Sequence, residues 1–511
     1  MTHRLASLAL LFLAPAGFAQ NCPPHPVQKL VPESGDRFGR VVPVVGGPAS
    51  APESLVLCGD EFSDRFVSFA GMAVLFDADT GERLWTFRPD TLASFDRFGA
   101  EVAIDGTTLF VSAITADFEV GTVHVFDSVS QTQIDEIPGD PRYLNFGYDL
   151  AVGDANLAIG ALTNGGAVFV YDKATRAFQY ELLGPPGGNS AFGVALAMDD
   201  GLLVVGDPFD DQGSPDAGAV FVHDAATGAF LRKIVASDAQ NDDFFGFSVA
   251  LENGVLAVGA RNEDERGHNA GAVYLFDVAT GNELFKCLAD AGQADDALGT
   301  NVALSSTELF AGTFSADVNQ HDQVGAVVVF DVATGQQSYV MRPDAIGWED
   351  RFGSRLSLTG SSLAVLATGD DDAGPNAGAI YVMDLEGGAR VTSRNGSGLN
   401  AERLAAATGP QLGASWDLSL DFSGVGPGTA TLLFHERPSS GRFFAGGELL
   451  LDPASSFLAK IVLSHTGGVR VESLPVPLDP ALCGANATLQ AAVFGATGYE
   501  LTNALDLIVG T

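Results

Sequence analysis

The stretch that decides the fold is Gly271-Ala272-Val273-Tyr274-Leu275-Phe276-Asp277, a glycine followed by a run of β-forming residues and an aspartate. Valine, tyrosine and phenylalanine favour the pleated, half-buried surface of a strand. The pattern occurs seven times, about 45–55 residues apart, at 71–77, 121–127, 166–172, 218–224, 271–277, 325–331 and 378–384. Seven copies at a near-constant spacing indicate a repeat architecture.

A Phe-Gly pair precedes these runs. It stands at Phe38/Gly39, Phe98/Gly99, Phe146/Gly147, Phe192/Gly193, Phe245/Gly246 and Phe352/Gly353, with Leu298/Gly299 in the sixth unit. A short apolar stretch such as Leu256–Ala260 lies between the pair and the run. After the run, an Asp and a Thr-Gly pair predict a tight turn, because the Asp can accept turn amides and Gly adopts positive φ. A fourth short strand follows, as at Leu284–Leu288.

Each unit therefore predicts a four-stranded sheet, and seven such sheets predict an all-β, seven-bladed β-propeller. Radial stacking covers both faces of each sheet, which one isolated sheet cannot achieve. The Phe is expected to wedge between neighbouring sheets. The orphan strand Val27–Val31 is expected to supply the missing fourth strand of the seventh blade and so close the ring. The competing interpretation gives that place to Arg390-Val391-Thr392.

The units resemble FG-GAP repeats, the blades of the integrin-α-type seven-bladed β-propeller. The resemblance covers Val27 to Asp384 and rests on the six Phe-Gly pairs, the seven glycine-led runs and the count of seven. It implies a fold found in secreted bacterial proteins, ligand or partner binding on the propeller faces, and in some members calcium in the loops. The sequence departs from the integrin pattern because it has no Asp-x-Asp-x-Asp-Gly loop.

The chain is expected to contain four parts. Residues 1–19 predict a signal peptide, because Arg4 precedes an apolar run and Gly17 and Ala19 supply small residues before the cleavage point. Residues 20–385 form the propeller, 386–400 a linker, and 401–511 a small C-terminal β-sandwich. The final segment, from Ala481 onward, resembles the tails of secreted planctomycete proteins. We expect an exported protein without a transmembrane segment, extracellular or associated with the cell surface through its C-terminal domain, with the periplasm as the alternative location.

The charge excludes two classes of partner. The chain has 26 Lys and Arg against 64 Asp and Glu, a formal net charge of −38. Of this, −34 falls on residues 1–385, and only −4 on the rest. Such a surface repels a nucleic-acid backbone and an anionic membrane. Extracellular protein or glycan ligands are the expected partners.

Two acidic loops are candidate metal sites. They contain Asp207, Asp210, Asp211, Asp216, Asp370, Asp371 and Asp372, each set between the second and third strands of its unit. Calcium takes six to eight oxygen ligands, often carboxylates on a flexible loop. The alternative is solvated charge without a bound ion, so calcium is the one cofactor that these loops suggest.

A second acidic series precedes the Phe-Gly pairs, at Asp36, Asp96, Asp243, Asp296 and Asp350. One interpretation is a ring of ligand-facing groups. The other is a turn-capping Asp accompanied by an ion pair between blades, which repetition at equivalent sites favours. The four cysteines, Cys22, Cys58, Cys287 and Cys483, match no zinc or haem spacing and allow either one disulfide or none.

No catalytic constellation stands out. The histidines are scattered, and His-Glu-x-x-His, Gly-x-Ser-x-Gly and P-loop motifs are absent. The expected function is therefore non-catalytic recognition or adhesion at a propeller loop face. The alternatives are an extracellular propeller enzyme (a hydrolase, a lyase or a quinone-dependent dehydrogenase) and a purely structural surface or matrix protein. A quinone enzyme is disfavoured because Trp85 alone occupies the tryptophan position of that blade motif.

Overall fold

The chain separates into two compact units, His25–Asp384 and Leu385–Thr511. The computed structural model describes residues 26–33, 38, 44–46, 55–63, 70–78, 80–162, 165–185, 190–211, 214–316, 323–343, 347–385, 390–394, 404–406, 415–421, 428–435, 438–444, 447–451, 457–465, 469–475, 486–495 and 498–508. The predicted signal peptide, Asp36, Cys22 and Cys483 lie outside these ranges. Among the described helices, none is long and apolar enough to cross a membrane.

The first unit contains seven four-stranded antiparallel sheets, which confirms the predicted seven-bladed propeller. The first strand along the chain is β1 (Pro26–Leu30). Blade 1 consists of β2 (Val44–Gly46), β3 (Leu55–Asp60), β4 (Met72–Asp77) and β5 (Arg83–Phe87). Blade 2 consists of β6 (Phe98–Asp105), β7 (Thr108–Ala113), β8 (Thr122–Asp127) and β9 (Thr132–Pro138), with the short helix α1 (Ala116–Glu119) between β7 and β8.

The middle blades repeat this order. Blade 3 consists of β10 (Leu150–Val152), β11 (Asn156–Ala161), β12 (Ala167–Asp172) and β13 (Phe178–Leu183). Blade 4 consists of β14 (Ala195–Asp199), β15 (Leu202–Asp207), β16 (Ala219–Asp224) and β17 (Phe230–Ile234). Blade 5 consists of β18 (Phe245–Glu252), β19 (Val255–Ala260), β20 (Ala272–Asp277) and β21 (Asn282–Cys287).

The last two blades complete the unit. Blade 6 consists of β22 (Val302–Leu304), β23 (Glu308–Thr313), β24 (Ala326–Asp331) and β25 (Gln337–Met341). Blade 7 consists of β26 (Phe352–Thr359), β27 (Ser362–Ala367), β28 (Ala379–Asp384) and β1. We call the four strands of each blade inner, second, third and outer, in the order of the sheet.

The Phe-Gly pairs join neighbouring blades. Phe245 is fully buried and packs among side chains of blades 4 and 5, including Val222 and Phe276. Its amide donates to the carbonyl oxygen of Ala217, in the preceding blade, at 3.0 Å. A Cβ on Gly206 of blade 4 would lie 2.2 Å from a backbone oxygen of the Phe-Gly glycine, so this close approach requires glycine.

The ring closes as predicted from the orphan strand. β1 pairs antiparallel with β28, with Leu30 opposite Ile380. The amide of Phe38 donates to the carbonyl oxygen of Ala377 at 2.7 Å. The same blade-to-blade bond is made by the amides of Phe98, Phe146, Phe245, Leu298 and Phe352. The competing interpretation is wrong, because the segment around Val391 pairs with a strand of the C-terminal unit instead.

The second unit is also all β. Its strands are β29 (Arg390–Arg394), β30 (Leu404–Ala406), β31 (Ser415–Asp421), β32 (Gly428–His435), β33 (Pro438–Phe444), β34 (Gly447–Leu451), β35 (Phe457–His465), β36 (Val469–Pro475), β37 (Asn486–Gly495) and β38 (Gly498–Ile508). They form a five-stranded sheet in the order β29-β38-β37-β32-β35, a three-stranded sheet β30-β31-β36 and the hairpin β33-β34. The predicted linker 386–400 therefore includes a strand, β29, which belongs to the five-stranded sheet.

The antiparallel order gives the propeller two distinct faces. Hairpins from inner to second strand and from third to outer strand end at one face, the turn face. The loops from second to third strand and the connections between blades end at the other, which we call the loop face. Both acidic loops and the Phe-Gly pairs therefore lie toward the loop face.

Candidate functional site

A polar ring lines the channel between the inner strands. The residue three positions after each Phe-Gly phenylalanine, or after Leu298, occupies an equivalent place of the repeat, within its inner strand or directly before it. In blades 2 to 7 these residues are Glu101, Asp149, Ala195, Ser248, Asn301 and Arg355, and all of them line one cavity of about 430 Å³. The repeat thus places two carboxyls, an amide, a hydroxyl and a guanidinium at one level of the channel.

Two members of this polar ring join neighbouring inner strands. Asp149 accepts the backbone N–H of Leu196, in the next blade, at 2.6 Å, and that of Leu150 at 3.0 Å. Asn301 makes the corresponding bond three blades further on, accepting the N–H of Leu356 at 2.7 Å. Asp149 and Asn301 therefore have the same structural role, although only Asp149 can carry a charge.

The two carboxyls of the polar ring hold protons more tightly than ordinary ones. Burial raises the pKa of Asp149 to about 7, against the lowering effect of the amides of Leu196 and Leu150 and of the charge of Arg355. Burial, together with repulsion from Asp149, raises the pKa of Glu101 well above its usual range, and Arg355 again opposes the rise. In the channel, ionisation of both carboxyls at once is therefore unfavourable.

The channel opens at the loop face into a second cavity, of about 450 Å³, which we call the mouth pocket. It is lined by Tyr148, Phe247, Arg261, Thr300, Phe314, Arg351, Ser354, Arg355 and Thr368. These residues begin the inner strands or directly follow the second strands of blades 3, 5, 6 and 7. Four of them also line the channel, so the two cavities are continuous.

The arginines of the mouth pocket contact neutral groups. The guanidinium of Arg261 lies over the ring of Phe247, 3.9 Å from its centroid, and its buried Nε has no hydrogen-bond partner among the described residues. Arg351 donates to the side-chain oxygen of Gln323 at 2.9 and 3.1 Å. Burial lowers the pKa of Arg261, and the positive charge of Arg355 lowers it further against the effect of Tyr148. The charges of Arg261 and Arg355 therefore repel each other across the pocket.

The predicted metal residues of blade 7 surround a lysine. The ammonium of Lys29, on β1, lies 2.6 Å from carboxylate oxygens of both Asp370 and Asp372. Asp370 is almost fully buried and also accepts the hydroxyl of Tyr381 at 2.9 Å. Asp371 faces elsewhere and accepts the N–H of Asn376 at 2.6 Å, which stabilises the loop.

The predicted metal residues of blade 4 are used in a similar way. Asp210 lies 2.6 Å from the ammonium of Lys233. Asp207 accepts the hydroxyl of Ser190 at 2.6 Å and the N–H of Ala191 at 2.9 Å. Asp211 accepts the N–H of Asp216 at 2.9 Å. Within the described part of the chain, neither predicted loop brings three ligand atoms within 4.8 Å of one another.

Sequence reasoning missed the third and densest acidic cluster, in blade 5. Lys286 lies 2.6 Å from Asp238 and 2.8 Å from each of Glu263 and Glu265. Among the described residues, Asp238, Glu263 and Glu265 are the group of three acidic side chains whose oxygens all lie within 4.8 Å of one another. A signal was present: Lys29, Lys233 and Lys286 are three of only five lysines in the chain, and all occupy the same position of an outer strand.

The aspartates before the Phe-Gly pairs cap turns, as the structural interpretation predicts. Asp96, Asp243 and Asp296 accept the N–H three residues before them at 2.6–2.7 Å, and Asp350 accepts that of Gly347. Arg97 forms an ion pair with Glu61 of the preceding blade. Arg351, at the equivalent position, instead contacts the amide of Gln323 and lines the mouth pocket.

Comparison with known proteins agrees with the repeat geometry. A family model described as FG-GAP repeat matches residues 88–126, 230–276 and 346–383. No curated protein matches the chain with significant similarity. The matched segments run from the connection before a Phe-Gly pair into the following third strand, or from the outer strand of blade 4 through the third strand of blade 5. The chain therefore carries FG-GAP repeats that fold into a seven-bladed β-propeller.

Proposed function

We propose that the protein is a secreted, non-catalytic recognition protein that binds an extracellular protein or glycan at the loop face of its propeller. The observation that supports this proposal is the mouth pocket, a concave site that combines aromatic rings, hydroxyls and guanidinium groups. Binding sites are concave, largely apolar and equipped with a few polar groups that orient the ligand. Tyrosine and arginine are also the residue types that contribute most often to binding energy.

Binding arrays with the full-length mature chain test this proposal. Glycan and extracellular-protein arrays would be probed with the wild type, with the double variant Tyr148→Ala/Phe314→Ala, and with Val129→Ala. Val129 is exposed in a turn-face hairpin between β8 and β9, so its variant controls for the loss of an exposed apolar side chain. We expect ligands that the wild type and Val129→Ala both retain and the double variant loses. A ligand retained by all three proteins would place recognition elsewhere.

The carboxyl pair of the polar ring favours an enzyme as the second candidate. Carboxyls with raised pKa values in a cavity are a feature of acid–base sites. Asp149, however, already accepts two backbone amides, and the bond to the next blade is the one that uncharged Asn301 makes in blade 6. Incubation with polysaccharide and peptide pools decides between the candidates. Turnover that Glu101→Gln abolishes would establish the enzyme, and binding without turnover supports recognition.

The cellular setting forms part of the same proposal. FG-GAP repeats are typical of extracellular proteins, and the apolar run after Arg4 suits an export signal. The C-terminal unit is the proposed attachment to the cell surface. Expression of the full gene in a secreting host, with and without residues 386–511, tests both points. We expect the full chain in the cell-surface fraction and the truncated chain in the medium.

A further inference from the structure

Most of the described cations in the propeller lie against carboxylates, as expected in a strongly acidic protein. Ion pairs within 4.0 Å involve Lys29, Arg83, Arg97, Arg142, Lys173, Arg176, Lys233 and Lys286. The three arginines of the mouth pocket belong to the smaller set of described cations without such a pair, together with Arg232, Arg266 and Arg342. Arg261, Arg351 and Arg355 make no ion pair with any described carboxylate, although the chain has 64 acidic residues.

These three arginines also converge on one cavity. Arg261 and Arg355 are close enough for their charges to repel each other, and Arg351 lines the same pocket. Gathering like charges in a partly buried site is unfavourable unless an opposite charge joins them. Glu101 and Asp149 line the channel with Arg355, but neither carboxyl lies within 4.0 Å of its guanidinium. An anionic ligand at the mouth would therefore relieve the repulsion between the arginines.

The other residues of the pocket define the chemistry around that anion. Tyr148, which is 40 % exposed, and the half-buried Phe247 and Phe314 present aromatic surface to a ligand ring. The hydroxyls of Thr300 and Ser354 donate to the carbonyl oxygens of Ala297 at 2.7 Å and Arg351 at 2.5 Å, so toward a ligand they act as acceptors. Thr368 adds a third hydroxyl, 3.2 Å from that of Ser354. A volume of about 450 Å³ lies within the range of small-molecule sites and would hold one or two sugar rings.

We propose that the mouth pocket binds a uronic acid residue of an acidic glycan, with the sugar carboxylate held by Arg261, Arg351 and Arg355. Guanidinium groups bind carboxylates through paired N–H donors. The hydroxyls of the pocket would form hydrogen bonds with the sugar hydroxyls, and the aromatic rings would pack against the C–H faces of the sugar. This inference rests on the proposed loop-face recognition and names the ligand class of that site.

The acidic surface does not prevent such binding. Charges farther than about 8–10 Å from the ligand are largely screened at physiological ionic strength, whereas the arginines would be in direct contact with it. The net charge of −34 on residues 1–385 therefore slows the approach of an anion at low salt but acts weakly on the bound state. Near-physiological salt is accordingly the condition for the test.

Calorimetric titration of the full-length mature chain tests the proposal. The probes are short oligomers of galacturonate, glucuronate and mannuronate, the methyl esters of the same oligomers, and sulfated disaccharides of similar size. The protein variants are Arg261→Gln and Arg355→Gln. Arg142→Gln serves as the control, because Arg142 is an exposed arginine outside the pocket that pairs with Asp140 and Glu181. Thermal melts establish that each variant is folded.

We expect at least one free-acid oligomer to bind the wild type and Arg142→Gln. Its methyl ester, and either pocket variant, should lower the affinity by at least about tenfold. Equal binding of acid and ester, preference for the sulfated probe, or no binding of any uronate would overturn the uronate assignment. The proposed function would then be judged by the arrays, since it fails only if the loop face captures no ligand at all.

Discussion

Lys29, Lys233 and Lys286 show how single residues determine the chemistry of the acidic loops. Each ammonium extends from an outer strand into the loop between the second and third strands of the same blade. The residue types of those loops suit calcium, but the ammonium already supplies a positive charge at the same carboxylates. A bound calcium ion would therefore have to displace a lysine, and we expect general ionic screening to be the larger effect of added salt in the wild type.

Replacing Lys286 by methionine is expected to create calcium dependence. The change leaves Glu263, which is 1 % exposed, without its cation, so we expect a loss of roughly 3–5 kcal/mol in the free energy of unfolding. Millimolar calcium should restore much of it, whereas sodium at matched ionic strength should not. Lys233→Met is the control, because its loop offers fewer converging carboxylates. Equal responses of the two variants in thermal melts would contradict this account.

Asp149→Asn is expected to change how stability depends on pH. The pKa of Asp149 is about 7 in the folded protein, above the value of about 3.9 for an unfolded aspartate. The folded state therefore binds the proton more tightly, and the carboxyl destabilises the protein progressively as the pH rises from about 4 to about 7. Asparagine removes this effect and retains an acceptor for Leu196.

We expect Asp149→Asn to raise the free energy of unfolding by roughly 1–3 kcal/mol at about pH 8 and to have little effect at about pH 4. The repeat supplies the reverse control, since Asn301→Asp places a carboxyl at the equivalent position of blade 6. That variant should lose stability over the same pH interval. Melting curves with pH-independent differences would show that charge at this position has no part in stability.

The sequence permits prediction of some of these residues and not others. Turn-capping Asp96 and Asp243 could be predicted because their bonds are local, spanning three residues. The polar ring could not, because it depends on side chains from six inner strands meeting at one level of the channel. The acid–lysine clusters combine residues 21 or more positions apart, and only the position of lysine within the repeat indicates them.

At the scale of elements, the Phe-Gly pair both begins the inner strand and fixes it to the preceding blade. The phenylalanine fills the space between two sheets, and its amide bonds to the neighbouring blade. Its buried environment follows directly from the repeat, which is why the four-stranded blade could be predicted with its order. The strand at Arg390–Arg394 could not, because its partner, β38, lies more than 100 residues away and no repeat marks the pairing.

Phe245→Ala is expected to leave a cavity between blades 4 and 5 and to lower the free energy of unfolding by roughly 3–5 kcal/mol. Phe245→Leu should cost roughly 1–2 kcal/mol, because blade 6 has a fully packed leucine, Leu298, at the same position. Denaturant unfolding of both variants measures the difference. Equal losses would mean that Phe245 does not act by filling space between blades.

At the scale of the whole molecule, stability depends on closure of the ring. β1 covers the open edge of β28, and Phe38 connects blade 7 to blade 1. Without them, blade 7 would have three strands and an exposed edge, which promotes association between molecules. The acidic surface of the propeller opposes such association only in part, because salt screens it.

A chain lacking residues 20–33 should therefore melt at a lower temperature and form larger species as its concentration rises. The matched control lacks only residues 20–24 and retains β1. Light scattering and thermal melting of both chains provide the comparison. If the longer deletion leaves a monomer with an unchanged melting temperature, the closing role of β1 is refuted.

The pairing of Leu30 with Ile380, 350 residues later, also has a consequence for the order of events during biosynthesis. At roughly 5–20 residues per second, β1 leaves the ribosome about 20–70 s before the strand that it must join. Throughout that interval the nascent chain can form blades but not a ring, so an arc with two unpaired ends is the most complete structure available. If the chain is exported before β28 has been synthesised, the pairing of β1 with β28 can form only on the far side of the membrane.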